Sequence, residues 1–200
     1  MRLNLILFFL SFIFFAPSVH AHTFTGMVGF YDGLSHPVLG IDHFLAMVSV
    51  GVVSAQIGGR AIWTIPATFV LMMIIGGTIG MLIEVFFFDF EESAFVVVEY
   101  GIVFSVILLG LAIAIEKKIA TNIIMIFICI FGMCHGLAHG MEMPWAVNPI
   151  LFALGFATGT ATLHLFGVGI GSLAIKTKFS STVLRIVGVG CALFGVSLLI

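Results

Sequence analysis

Charge is what this chain lacks most. Of 200 residues, seven are Lys or Arg and nine are Asp or Glu, so 8% are charged against 62% hydrophobic, with a mean hydropathy of +1.32. A water-soluble domain of this length cannot clothe itself with so few charged groups, which makes the lipid bilayer its solvent. The formal net charge of -2 comes without any basic face, which excludes nucleic acid as a partner. Cysteine is sparse as well. Cys129, Cys134 and Cys191 lie inside apolar runs with no CxxC spacing, which argues against a disulfide framework and a thiolate zinc site. Catalytic signatures are also missing: there is no HExxH, no GxSxG elbow and no Walker A sequence. Zincin, elbow-type serine hydrolase and ATPase chemistry are therefore unsupported, and the chain is expected not to be an enzyme.

Long apolar runs are what it has instead. Arg2 precedes LNLILFFLSFIFFA, which breaks at Pro17 and ends in Val19-His20-Ala21. A charged start, a short apolar stretch and small residues before a cleavage point read as a secretory signal over residues 1–21, leaving His22 as the mature N-terminus. Six candidate transmembrane helices follow, over residues 36–56, 62–87, 94–115, 119–141, 147–172 and 182–200. The expected fold is all-α, a polytopic six-helix bundle filling residues 22–200 as one domain. Positive charge orients it. With His22 outside, Arg60, Lys117, Lys118, Lys176 and Lys178 fall on the cytoplasmic side, with Arg185 near the cytoplasmic start of the last span. Asp32, Asp89, Glu91, Glu92 and Glu142 fall outside, which places both mature termini in the periplasm of a bacterial inner membrane. Glycines four apart (Gly76 and Gly80, Gly136 and Gly140, Gly155 and Gly159, Gly167 and Gly171) let helix backbones approach closely in lipid. Three spans and three spans would run in opposite senses, as in inverted-repeat transporters, although the halves share little sequence.

Ionisable groups inside the spans carry the chemistry. Each costs roughly 2.5–3.5 kcal/mol at a helix centre, so it faces a polar neighbour or a wet cavity. HPVLGIDH opens the first span. His36 and His43 stand two turns apart on one face with Asp42 beside them, Pro37 fits the first turn, and Gly40 keeps the face open. CHGLAHGME closes the fourth span, where His135, His139 and Glu142 lie at i, i+4 and i+7 on one stripe. Both stripes lie within about 10 Å of the outer surface at 1.5 Å per residue. Glu84 and Glu99 fall at similar heights, and His164, flanked by Thr160 and Thr162, lies deeper. Imidazole with carboxylate suits nickel, cobalt, zinc or copper(II) rather than magnesium or calcium. A polar layer open to the outside, with a histidine further down, reads as capture followed by inward transfer. Two alternatives use the same histidines: a membrane haem protein of the electron-transport type, and a copper transporter drawing on the ten methionines.

HPVLGIDH matches an HxxxxxDH element, and CHGLAHGME an FHGxAHGxE element, so that the chain resembles the HupE/UreJ family of nickel permeases. The similarity runs through the mature chain and its signal peptide and includes GFATGTATLH in the fifth span. The departure is Cys134, where the family usually has phenylalanine; the thiol is assigned to packing, with ligation as the alternative. The resemblance implies uptake of nickel, sometimes cobalt, for hydrogenase or urease maturation, and marks His36, Asp42, His43, His135, His139 and Glu142 as functional. In this reading His36 captures the ion with His135 or His139, Asp42 and Glu142 ease the cost of the dication, Glu99 and His164 line the pathway, and His22 collects metal outside. The metal is cargo, and no tightly bound cofactor is expected. Energy coupling stays open, as does assembly into a homo-oligomer. Ligation by neutral imidazoles should weaken as pH falls through about 6.5, where protons compete for the same lone pairs.

Overall fold

The computed structural model describes residues 29–86, 92–115, 119–143 and 147–199. The expected signal peptide, His22, Asp89, Glu91, Lys117 and Lys118 lie outside them. Seven helices follow in order: α1 Gly29–Leu39, α2 Ile41–Ile57, α3 Ala61–Phe86, α4 Glu92–Ile115, α5 Thr121–Met141, α6 Pro149–Ala174 and α7 Lys178–Ser197. The described residues contain no strand, which matches the all-α expectation. Five helices are long and apolar enough to cross a bilayer, or six where the bent pair α1 with α2 is counted as one span. Backbone polar groups cannot be left unpaired in lipid, so helices are the form such a chain can take there. Leu71, Ile126, Leu154 and Leu193 stand exposed on the outer faces, where only lipid suits them.

The first crossing differs from the expected continuous helix. The chain turns by 82° between Leu39 and Ile41. Gly40, at φ -86° and ψ 120°, is extended, and its carbonyl accepts the first α2 hydrogen bond from Phe44 N at 2.8 Å. Pro37 sits in the last turn of α1 rather than in a first turn, so α1 already lacks one backbone donor there and ends two residues later. Gly40 is thus a joint between two helices, not an open place on one face. An added Cβ at Gly40 would come within 3.0 Å of both Asp42 Oδ1 and His43 Nδ1.

The glycine pairs pack as their spacing predicts. Gly76 and Gly80 of α3 rest on the Met133 and Leu137 carbonyls, while Gly136 and Gly140 of α5 rest on the Met73 and Gly77 carbonyls, so α3 and α5 run parallel in backbone contact. On the other side, Gly155 and Gly159 of α6 meet α1 at Phe30 and Leu34, and Gly167 and Gly171 meet α2 at Val48 and Val52. The remaining pair, α4 with α7, runs antiparallel through Gly110 and Gly188. Exchanging the first three crossings for the last three maps this pairing onto itself: α1–α2 with α6 becomes α5 with α3, and α4 with α7 is unchanged. That is the arrangement of two halves in opposite orientation. Contacts between the α1–α2–α6 group and the α3–α5 group are sparser than those within each group.

The described basic residues gather at one end. Arg60 lies between α2 and α3, Lys176 and Lys178 lie where α6 passes to α7, and Arg185 Nε donates to Ala114 O at 2.8 Å beside the C-terminus of α4. A cation there complements the negative end of the helix dipole. The α1–α2 joint and the C-terminus of α5 lie at the opposite end.

Candidate metal site

Three short elements bring the site together. His36 lies in the last turn of α1, Asp42 and His43 in the first turn of α2, and His135 and His139 in the last two turns of α5, with Glu142 capping it. Two helix C-termini, those of α1 and α5, therefore point their negative dipole ends at one place, which favours a cation. The N-terminus of α2 opposes them, and Asp42 supplies negative charge there.

His36, His139 and Glu142 each offer a ligand atom, and the three atoms lie within 4.8 Å of one another. The His139 ring centroid is 4.5 Å from that of His36 and 4.6 Å from that of His43, and His139 Nδ1 is 3.9 Å from Glu142 Oε2. Rings this close leave no slot for a porphyrin between them. His43 stands 5.3 Å from His135, forming a second pair one turn deeper along α5. The sequence left open whether His36 meets His135 or His139. The structure brings it to His139, while His135 meets His43.

Hydrogen bonds set the ring orientations. His43 Nδ1 lies 2.9 Å from Asp42 Oδ1, and His135 Nδ1 lies 2.8 Å from the Phe131 carbonyl. A carbonyl or an ionised carboxylate only accepts, so both Nδ1 atoms donate and both Nε2 atoms keep their lone pairs. Those two Nε2 atoms, together with both nitrogens of His139, are buried without a hydrogen-bond partner. A buried polar atom left without a partner costs about 1–3 kcal/mol, and several on neighbouring rings form a donor set suited to a cation. Asp42 behind His43 is the carboxylate–imidazole arrangement that fixes tautomer and raises ligand basicity. Glu99 lies about two turns into α4, counted from the end of the bundle that holds the cluster. Beside His139, a groove of about 70 Å³ lies between α3, α5 and α6, with Met73, Met81 and Met143 on its walls.

Cys134 turns away from the rings. Its Sγ and Cβ press on Gly101 of α4, a position without a side chain to obstruct them. The thiol thus packs between helices. Replacing Cys134 with serine should leave binding of a divalent metal ion by the cluster unchanged in equilibrium dialysis; a weakened affinity would return the thiol to the ligand set.

His164 of α6 is fully buried, and neither ring nitrogen has a hydrogen-bond partner. Phe69 of α3 touches both it and the cluster, with its ring centroid 5.3 Å from His135 and 5.2 Å from His164. Sequence reasoning missed Phe69, since a phenylalanine in an apolar helix carries no signal of its own.

A family model described as "HupE / UreJ protein" matches residues 10–198. The chain is 36% identical over 185 residues to "Protein HupE" of Rhizobium leguminosarum bv. viciae, with 92% of each chain covered. No solved structure matches.

Proposed function

We propose that this chain, which belongs to the HupE/UreJ family, is a secondary transporter that takes up nickel, with cobalt as the second cargo. The observation that carries this reading is the meeting of His36, His139 and Glu142 ligand atoms within 4.8 Å, from helices far apart in sequence. Imidazole nitrogen with carboxylate oxygen is the donor set that borderline divalent ions prefer. In this reading the ion loses part of its hydration shell at that trio. The His43–His135 pair then takes it inward, with Asp42, Glu99 and Glu142 offsetting its charge in a low-dielectric layer.

The charge distribution supports the orientation. Arg60, Lys176, Lys178 and Arg185 mark the cytoplasmic end of a bacterial inner-membrane protein, and the histidine cluster then faces the periplasm. Both mature termini lie outside as well, and the free amine and imidazole of His22 collect metal there. The chain is a transporter rather than an enzyme, and its cargo serves hydrogenase or urease maturation.

Metal accumulation tests the reading. Cells expressing the wild type should accumulate nickel above a vector control, with cobalt second among nickel, cobalt, zinc and copper, and His36→Ala should return them to the control level. Equal accumulation by His36→Ala, or a preference for copper, would overturn it.

A further inference from the structure

The buried groups not used in capture lie on one seam. His164 and Thr160 stand one turn apart on α6, both fully buried. Facing them, Phe69 and Met73 stand one turn apart on α3, also buried. The two pairs mesh level by level: the Phe69 ring meets His164, and the Thr160 hydroxyl lies 3.6 Å from Met73 Sδ. His164 keeps both ring nitrogens without hydrogen-bond partners although wholly enclosed, a placement that costs free energy and fills no packing need that leucine would not meet. His135, the deepest ring of the outer cluster, also touches Phe69, at 5.3 Å between ring centroids.

We propose that His164 is a second, inner metal station, and that the Phe69 ring, which touches both His164 and His135, gates the passage between it and the outer cluster. This rests on the uptake reading above. Beyond His164 the buried face of α3 continues as Ile65 and Ala61, and that of α6 as Gly167 and Gly171, with no side-chain donor for an ion.

The architecture supplies the movement such a gate needs. The α3–α5 pair and the α1–α2–α6 group are each locked by glycine-to-backbone contacts, and the seam between them is sparser. His135 and Phe69 belong to one group, His43 and His164 to the other. Rocking one group against the other displaces Phe69 relative to His164 while leaving both groups intact, so the outer cluster and the inner station are joined by a shift of the seam.

Nickel chloride is the probe, with equilibrium binding to purified protein and uptake into proteoliposomes measured on the same variants. His164→Gln keeps a polar side chain and loses the imidazole; it should bind nickel at the outer cluster as the wild type does while its uptake falls by roughly tenfold or more. His164→Cys fits the space less well but restores a metal ligand, and it should transport better than His164→Gln. Phe69→Leu shrinks the gating side chain and should raise uptake at saturating nickel with binding unchanged, whereas Phe69→Trp should lower it. Wild-type uptake by His164→Gln, better transport by His164→Gln than by His164→Cys, or loss of outer binding in His164→Gln overturns the inner station and leaves the uptake reading standing. A Phe69→Leu rate equal to the wild type overturns the gate. A wild type that neither binds nor carries nickel overturns the uptake reading and this one with it.

Discussion

On the proposed uptake function, replacing His139 with alanine is expected to abolish nickel binding and uptake together. His139 is the hub of the cluster. Its ring lies 4.5 Å from His36 and 4.6 Å from His43, and its Nδ1 is 3.9 Å from Glu142. Alanine removes one ligand of the trio and leaves only two, His36 and Glu142, to hold an ion. It also opens space against Phe156, whose ring lies 4.5 Å away, so water can reach the remaining donors and weaken their pull. Loss of an outer-sphere group such as the Asp42 carboxylate typically costs 10–100-fold in affinity, so loss of a direct ligand should exceed roughly 100-fold. Equilibrium dialysis of nickel against purified wild type, Asp42→Asn and His139→Ala checks the ranking. An affinity for His139→Ala equal to that of Asp42→Asn would remove His139 from the ligand set.

Much of this arrangement was legible in the residues, for definable reasons. Membrane crossing follows from composition and run length, because a backbone in lipid must satisfy its own hydrogen bonds. The stripe of His135, His139 and Glu142 could be read from helical periodicity, since α5 is a regular helix through Met141. Glycine spacing announced close helix pairs, but not which helix meets which; only the packed structure shows α3 with α5 and α6 with α1 and α2. The first crossing was misread because a spacing of seven fits a straight helix. Two turns of such a helix would hold the rings of His36 and His43 about 10 Å apart. The joint at Gly40 brings them to 6.3 Å instead, and turns His36 toward α5. Gly40 and Pro37 both carried that signal, since each weakens a helix, yet neither alone specifies an 82° turn. Phe69 was beyond reach of the sequence for a different reason. Its importance comes from the imidazoles it touches, which lie on two other helices.

Gly136→Ala should damage both the fold and the site, through a single methyl group placed between His135 and Leu137. A Cβ at that position would run into the Met73 carbonyl and come within 2.7 Å of Gly77 N, all of it backbone that cannot rotate away. The α3–α5 pair would have to separate along its whole contact, because Gly132 and Gly140 on the same face meet α3 backbone as well. Overpacking of a tight interface costs about 1–3 kcal/mol where side chains can give, and here only backbone can yield, so the upper part of that range is expected. Separation would carry His135 and His139 away from His43 and His36, and it would move Met73 and Phe69 on the facing helix. Thermal unfolding in detergent should show a lowered midpoint, and nickel affinity should fall even though no ligand has been changed. Gly169→Ala is the control: it lies in α6, and a Cβ there meets nothing within 4 Å. If Gly136→Ala unfolds and binds nickel as Gly169→Ala does, then the glycine contacts do not position the histidines, and the site must be held by the rings themselves.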